Sequence, residues 1–272
     1  MYESFWKLKE KPFVNTPDPR FLFPSPQHED ALIKLTYAIA EGMGAAMLTG
    51  VFGCGKTLVA RAVLNELGQD KYKLAVISNP KVSDVELLRG IVRNLRVQAL
   101  PEKKTEIMAD SLLEILNNVL LDNMRDGKET VVLIDEAHVL EDESVFEELR
   151  MLLNFQTDNK FLLTLLLVGQ PELKDKIANL KQFDQRVAIR CHLDKFKKNE
   201  TQGYIQHRLK VAGREDSIFT KDAFDFIHDH SGGIPRRINT ICDLSLLTGF
   251  GKKSETIDAE LVKSTTEQFA PG

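Results

Sequence analysis

Ala45-Ala46-Met47-Leu48-Thr49-Gly50-Val51-Phe52-Gly53-Cys54-Gly55-Lys56-Thr57 is the stretch that decides how this chain folds. Its first five residues read as a short apolar strand. Gly50 to Thr57 then match G-x-x-x-x-G-K-[ST], and the apolar-periodic run from Leu58 to Leu67 predicts an amphipathic helix behind them. Strand, glycine-rich turn and helix in that order turn a pattern into a mechanism. The glycines let successive backbone N–H groups face one anion without Cβ clashes, and the helix start adds its partial positive charge. The loop is therefore read as phosphate-binding, with contacts from Gly50, Phe52, Gly53, Cys54, Gly55, Lys56, Thr57 and Leu58. In that role Lys56 reaches the β- and γ-phosphates and the Thr57 hydroxyl binds Mg²⁺.

Downstream, Val131-Val132-Leu133-Ile134 has the β-branched and aliphatic make-up of a parallel strand buried on both faces, and Asp135-Glu136-Ala137-His138 follows at once. In a phosphate-loop protein an acid at the end of such a strand is the second Mg²⁺ anchor, and an adjacent glutamate polarises the attacking water. Asp135 is thus assigned to the metal and Glu136 to the base. A further apolar run, Phe161 to Val168, predicts another buried strand and ends in Gly169-Gln170-Pro171-Glu172-Leu173. There the Gln170 amide could sense a γ-phosphate, hold the water, or simply end the strand.

The remaining elements make a repeating β-α pattern. Lys73 to Ser78 is read as a strand, Asp84 to Arg96 and Thr105 to Asn123 as helices around a Pro101 to Lys104 loop, and Val145 to Phe155 as a helix. Glu172 to Phe183 reads as one helix. Val187 to Leu193 reads as a fifth strand, its Val187, Ile189, Cys191 and Leu193 alternating with Ala188, Arg190 and His192. Beyond Lys195-Phe196-Lys197-Lys198 only helices are predicted: Glu200 to Val211, Thr220 to His230, Pro235 to Leu247 and Asp258 to Gln268. Ahead of the loop, Ser25 or Pro26 opens a helix through Ala40. His28 stands in its first turn, where a surface or capping role and a ligand contact are both open. Residues 1 to 27 mix five prolines with Phe5, Trp6, Phe13, Phe21 and Phe23, which predicts an extended arm packed on the body.

Composition narrows the class. A net charge of −4 over 272 residues argues against bulk affinity for nucleic acid, although Arg89, Arg93 and Arg96 with Lys81, Lys103 and Lys104 form a local basic stripe. The stripe reads equally as a solvated helix face. Cys54, Cys191 and Cys242 match no disulfide or metal spacing, which predicts free thiols in a reducing cytoplasm. The opening residues carry no signal-peptide pattern, and the longest apolar run is far short of the roughly 20 residues needed to span a bilayer. Membrane association is expected only through a partner or a surface helix. With no Asn/Thr-Lys-x-Asp guanine motif and an extra strand between Lys56 and Asp135, ATP is the expected nucleotide.

At these residues the sequence resembles the AAA+ ATPases, and among them the ExeA-like general secretion ATPases. The likeness rests on Met1-Tyr2-Glu3 through Pro12-Phe13, Thr16-Pro17-Asp18-Pro19-Arg20-Phe21-Leu22-Phe23, Leu133-Ile134-Asp135-Glu136-Ala137, Glu148-Leu149-Arg150, Val168-Gly169-Gln170-Pro171-Glu172-Leu173 and Tyr204-Ile205-x-His207-Arg208-Leu209. It implies an α/β phosphate-loop core with a five-stranded parallel sheet between helical layers at 28–195, behind an arm at 1–27 and ahead of a small all-α lid at 196–272. It also implies roles: Gln170 as sensor 1, Arg186 or else Arg190 as the arginine finger acting on a neighbouring subunit's ATP, and Arg236 as the lid's sensor 2. The arginine pair Arg236-Arg237 opposes the dipole at a helix start, which a nearby phosphate or plain solvent exposure would explain. Cys54 departs from the Thr or Ser often found there, keeping the loop but adding an oxidisable thiol.

The resemblance further implies a homo-oligomeric ring or filament, ATP and Mg²⁺ as cofactors, and a protein partner in a secretion, pilus or polysaccharide-export machine. The protein would then be cytoplasmic, peripheral at the inner membrane through that partner. Two rivals stand beside this reading: a nucleic-acid-associated ATPase of the transposition or initiator type, and a nucleotide-binding scaffold that does not turn over.

Overall fold

The computed structural model describes residues 1–68, 70–78, 80–81, 83–95 and 109–269. Five strands, β1 (Ala45–Gly50), β2 (Tyr72–Ile77), β3 (Glu129–Ile134), β4 (Leu163–Gly169) and β5 (Val187–Leu193), form one sheet in the order β2-β3-β4-β1-β5. Every neighbouring pair is parallel. β1 and β4 are buried along their whole length, as their mostly apolar sequences, each with a single buried threonine, require of central parallel strands. β5 lies at an edge and alternates, with Val187, Cys191 and Leu193 buried and Ala188, Arg190 and His192 exposed.

Helices alternate with these strands: α1 (Pro26–Ala40), α2 (Lys56–Glu66), α3 (Asp84–Asn94), α4 (Ala109–Arg125), α5 (Glu143–Leu152), α6 (Glu172–Asn179) and α7 (Lys181–Asp184). Then come α8 (Lys198–Val211), α9 (Lys221–Ser231), α10 (Pro235–Lys252) and α11 (Ala259–Gln268). The chain divides into two compact units, Glu29–Gly50 with Val59–Leu193, and Met1–His28 with Val51–Leu58 and Asp194–Gly272. In the sheet unit, Leu88, Ile91 and Val92 of α3, Leu112, Leu116 and Leu120 of α4 and Leu149 and Leu152 of α5 share one core with Val132, Ile134, Leu165 and Leu167.

The second unit is helical. Tyr2, Trp6, Leu8, Phe13 and Phe21 are buried with Tyr204, Ile205, Phe224, Ile227, Cys242 and Leu246 from α8, α9 and α10. Trp6 Nε1 donates to the Leu246 carbonyl at 2.9 Å, which satisfies the one polar atom its burial would strand. Arg208 is buried in the same core. Its guanidinium donates to the Pro12 and Val14 carbonyls and to the Tyr204 hydroxyl, and stacks on Phe21 with its centre 4.6 Å from the ring. Proline-rich segments cannot pair their carbonyls in a helix, so a buried arginine fork does it for them.

Element boundaries differ from the sequence reading at a few places. The helix predicted over Glu172 to Phe183 is two, broken at Leu180 (φ −96°, ψ 72°), and the break carries Phe183 into the core against Phe146 at a ring separation of 5.8 Å. The predicted Val145 to Phe155 helix spans Glu143–Leu152, because Phe155 turns to accept from Leu162 N (2.9 Å) and Gln156 bridges Phe161. Phe161 thus closes this turn instead of opening β4. α10 runs on past Leu247 to Lys252. The start of the Thr105 helix, the Pro101 to Lys104 loop, and Arg96, Lys103 and Lys104 lie outside the described residues.

Replacing Arg208 by Met strands two arm carbonyls, each at about 1–3 kcal/mol. We expect Arg208→Met to lower the unfolding free energy by about 2–4 kcal/mol in urea titration. Amides of residues 1–28 should also exchange faster in hydrogen–deuterium exchange, and Arg208→Lys should not restore them, since it lacks the fork.

Candidate functional site

In the second unit, residues 51–55 form a tight turn and α2 begins at Lys56. Gly53 (φ +82°) and Gly55 (φ +101°) hold backbone conformations that side chains oppose. Lys56 is buried, and its Nζ donates to the Val51 carbonyl at 3.1 Å, so the ammonium folds over the turn. Arg236, in the first turn of α10, stands directly on this loop: its backbone N–H donates to the Gly53 carbonyl (3.2 Å), and its guanidinium lies 4.9 Å from the centre of the exposed Phe52 ring. A Cβ on Gly53 would approach Arg236 Cβ to 2.9 Å.

His28, in the first turn of α1, touches the loop through its ring, a partner the sequence reading did not name. It is no surface residue, being only 3% exposed. Its Nε2 faces the Cys54 carbonyl at 3.3 Å and its Nδ1 faces the Ser25 hydroxyl at 2.7 Å. The carbonyl can only accept, so Nε2 carries the proton and Nδ1 accepts from Ser25. Burial pushes its pKa below the usual histidine range, opposed by the bond to Cys54 and the charge of Glu200. No sequence signal could have found this pairing across 26 positions. The Cys54 thiol is itself buried, and burial raises its pKa, with Lys56 opposing, so little thiolate is present to oxidise.

In the sheet unit, β1, β3 and β4 are parallel and contiguous through β4, so Gly50, Asp135 and Gln170 leave the sheet at one edge. Asp135 is 7% exposed, and its Oδ1 accepts from Glu136 N at 2.9 Å. Glu136 occupies the left-handed region (φ 56°, ψ 33°), a conformation costing a non-glycine residue on the order of 1–3 kcal/mol that concentrates at functional sites. A short 3-10 turn, Ala137–Val139, follows. Gln170 Nε2 meets His138 Nε2 at 2.9 Å, and His138 Nδ1 lies 3.4 Å from Glu136 Oε2. The structure therefore brings Gln170, His138 and Glu136 together; His138 had no role in the sequence reading.

The arginines are engaged within the same unit. Arg186 Nη2 donates to Asn154 Oδ1 (3.2 Å) with its guanidinium over Phe161, whereas Arg190 pairs with Asp184 Oδ1 (2.9 Å) and also donates to the Asp184 carbonyl. Arg89 and Arg93 stand on α3. Thr57 and Asp135 offer a hydroxyl and a carboxylate, hard oxygen donors of the kind Mg²⁺ takes, and the loop's N–H groups and Lys56 suit a phosphate. By its chemistry each donor suits the group it would hold.

A parallel sheet in this order, with a glycine-rich loop after β1 and an acid pair after β3, defines the phosphate-loop NTPase fold. More narrowly, the chain belongs to the AAA domain family, whose pattern matches residues 39–177. It is similar to general secretion pathway protein A of Aeromonas hydrophila, 40% identical over 260 residues that cover 94% of this chain and 46% of that protein. The chain thus spans about half the length of that relative. Among solved structures, the Aeropyrum pernix ORC1 protein in complex with DNA matches with a TM-score of 0.73 at 17% identity, covering 96% of this chain and 70% of that one. The ORC2 protein of the same organism, in its ADPNP-ADP complexes, matches at 0.67 and 16%, covering 92% and 71%. At such identities these likenesses speak for the fold alone. Among the described residues no helix is long and apolar enough to cross a membrane.

Because its folded-state pKa lies below the unfolded value, His28 contributes stability that is present above the unfolded pKa of about 6.5 and is lost as pH falls below it. We expect the thermal midpoint to drop as pH is lowered through this range. His28→Gln, which keeps an amide N–H for Cys54 but cannot take up a proton, should flatten that slope in a pH series of melting curves.

Proposed function

We infer that this chain is a Mg²⁺-dependent ATPase acting as a homo-oligomer, ring or filament, in the service of a larger assembly. The observation that carries the reading is the departure of Gly50, Asp135-Glu136 and Gln170 from one edge of the parallel sheet, with the phosphate loop continuing from Gly50. Further support for a nucleotide comes from the name of the ADPNP-ADP complexes of the structurally similar ORC2 protein.

Phosphoryl transfer needs positioning and charge stabilisation more than covalent help. The ligand contacts fall on Gly50, Phe52, Gly53, Cys54, Gly55, Lys56, Thr57 and Leu58. In this reading the N–H groups and Lys56 bind the phosphates, and Thr57 and Asp135 hold Mg²⁺, which when bound neutralises phosphate charge. Glu136 accepts a hydrogen bond from the attacking water and orients it. Gln170 acts as sensor 1, and Arg236, already seated on the loop through Gly53, acts as sensor 2. Arg186 supplies the finger to a neighbouring protomer. Arg186 is preferred to Arg190 because it gives up a neutral amide, whereas Arg190 would have to break a charge-assisted pair with Asp184, the stronger kind of bond.

The work done is the assembly or remodelling of a secretion, pilus or polysaccharide-export machine through a protein partner, with the chain cytoplasmic and peripheral at the inner membrane. Support for this step comes from the name of the Aeromonas hydrophila relative. The domain plan of an arm at 1–27, a nucleotide-binding domain at 28–195 and a lid at 196–272 belongs to the same reading.

Lys56→Ala should abolish binding of a fluorescent ATP analogue. Glu136→Gln should bind it normally and lose turnover by about 10²–10⁴-fold. Arg186→Ala should also be slow alone, yet mixing it with Glu136→Gln should restore part of the rate, because each supplies what the other lacks at a shared interface. Equal slow turnover of wild type and Glu136→Gln at high protein concentration would leave the scaffold reading instead. A salt-sensitive rise in rate with duplex DNA, lost in Arg89→Ala/Arg93→Ala, would favour the nucleic-acid reading.

A further inference from the structure

The chain's most unusual polar arrangement lies at the end of β3. Gln170 and His138 meet through their nitrogens, Nε2 to Nε2 at 2.9 Å, and two nitrogens can bond only if one donates and the other accepts. The amide NH₂ donates, so His138 Nε2 is unprotonated and its proton sits on Nδ1. That atom is buried and lies 3.4 Å from Glu136 Oε2, an ion-pair distance a little longer than a full hydrogen bond, with no hydrogen-bond partner among the described residues. A carboxylate is acceptor-only, which demands the same Nδ1–H tautomer. The Gln170 bond and the nearby carboxylate thus agree on one protonation pattern, with the ring N–H on the side of the glutamate.

The turn that carries the ring is also held. Lys176 of α6 donates to the His138 carbonyl (2.5 Å) and to the Leu140 carbonyl (2.8 Å), pinning the 3-10 turn. β4 backs onto the turn so closely that a Cβ on Gly169 would come within 3.1 Å of His138 N and 2.8 Å of Leu173 Cδ2. The backbone that carries the ring is therefore held, and the carboxylate, on a left-handed residue with its side chain 39% exposed against 15% for His138, is the more exposed partner. A ring bonded to Gln170 on one side, with its other nitrogen beside the carboxylate, is a means of placing that carboxylate.

We propose that His138 is a positioning residue for Glu136: it accepts from Gln170 on one side of the ring and, through the Nδ1–H so fixed, sets where the Glu136 carboxylate points. This rests on Glu136 being the water-orienting group. Gln170 then bears on the glutamate through the imidazole instead of touching it.

The test separates the two ring nitrogens. Asn places its amide nitrogen where Nδ1 stands, and Gln places its own where Nε2 stands. On the full chain, His138→Asn should keep most of the wild-type kcat, whereas His138→Gln and His138→Ala should each lose roughly 10-fold in kcat with KM for ATP and analogue binding unchanged. Adding Gln170→Ala to His138→Ala should cost less than Gln170→Ala costs the wild type, the remainder being its own part as sensor 1. Long-range ¹H–¹⁵N correlation spectra of the labelled protein, read without turnover, should assign the Nδ1–H tautomer to His138 and lose it in Gln170→Leu. An Nε2–H tautomer in the wild type, or a fully active His138→Ala, overturns the proposal. Undiminished turnover in Glu136→Gln overturns instead the role of Glu136 proposed above, and the tautomer still decides whether His138 faces it as a donor.

Discussion

The parallel pairing of β1 with β4 on one side and β5 on the other is the constraint on which the sheet unit depends. Parallel neighbours cannot be joined by a tight turn, so each strand must cross over before the next, and all strands then finish at the same edge. The register brings Thr49 opposite Gly169 and His192, and Ile134 opposite Leu167. Gly50, Asp135 and Gln170 therefore emerge within a residue or two of one another in height, although the chain keeps Gly50 far from Asp135 and Asp135 well apart from Gln170. Full burial of β1 and β4 holds the register, since slipping by one residue would exchange every side chain between the two faces.

At that edge the backbone is less relaxed than the strands beneath it. Glu136 is left-handed, Lys176 ties down the turn after it, and β4 leaves no space beside Gly169. Strain of this kind persists only where surrounding packing over-determines it, here the β3–β4 ladder and the Lys176 bonds. The outcome is a part-exposed carboxylate beside a turn whose backbone is tied down, an arrangement suited to directing one small ligand.

The helical unit meets a different difficulty. Its N-terminal arm is too rich in proline to satisfy itself, so Arg208 bonds its carbonyls and Trp6 and Phe21 fill the core between helices. The phosphate loop is seated by the same unit through two contacts, the Arg236 N–H on Gly53 and the His28 ring on Cys54. Both reach the loop through carbonyls.

The segments legible in the sequence were those whose meaning is local. Gly50 to Thr57 carry their geometry in consecutive residues, and Val131 to Glu136 carry burial and charge in consecutive residues, so strand, loop and acid pair could be read without a fold. The five strands and the AAA likeness follow from the same short-range patterns. His28 could not be read, because its value comes from a carbonyl 26 residues away. The His138–Gln170 pair spans 32 residues and exists only through the β3–β4 register. Leu180 breaks a helix that its sequence would continue, because Phe183 gains more by entering the core than the helix loses at one residue. The sequence by itself determined which chemical groups this protein owns and which elements carry them, since propensity, periodicity and turn chemistry act over a few residues. Only the tertiary structure decided which of those groups meet, because partners, tautomers and buried contacts are set by packing between segments that the chain keeps far apart.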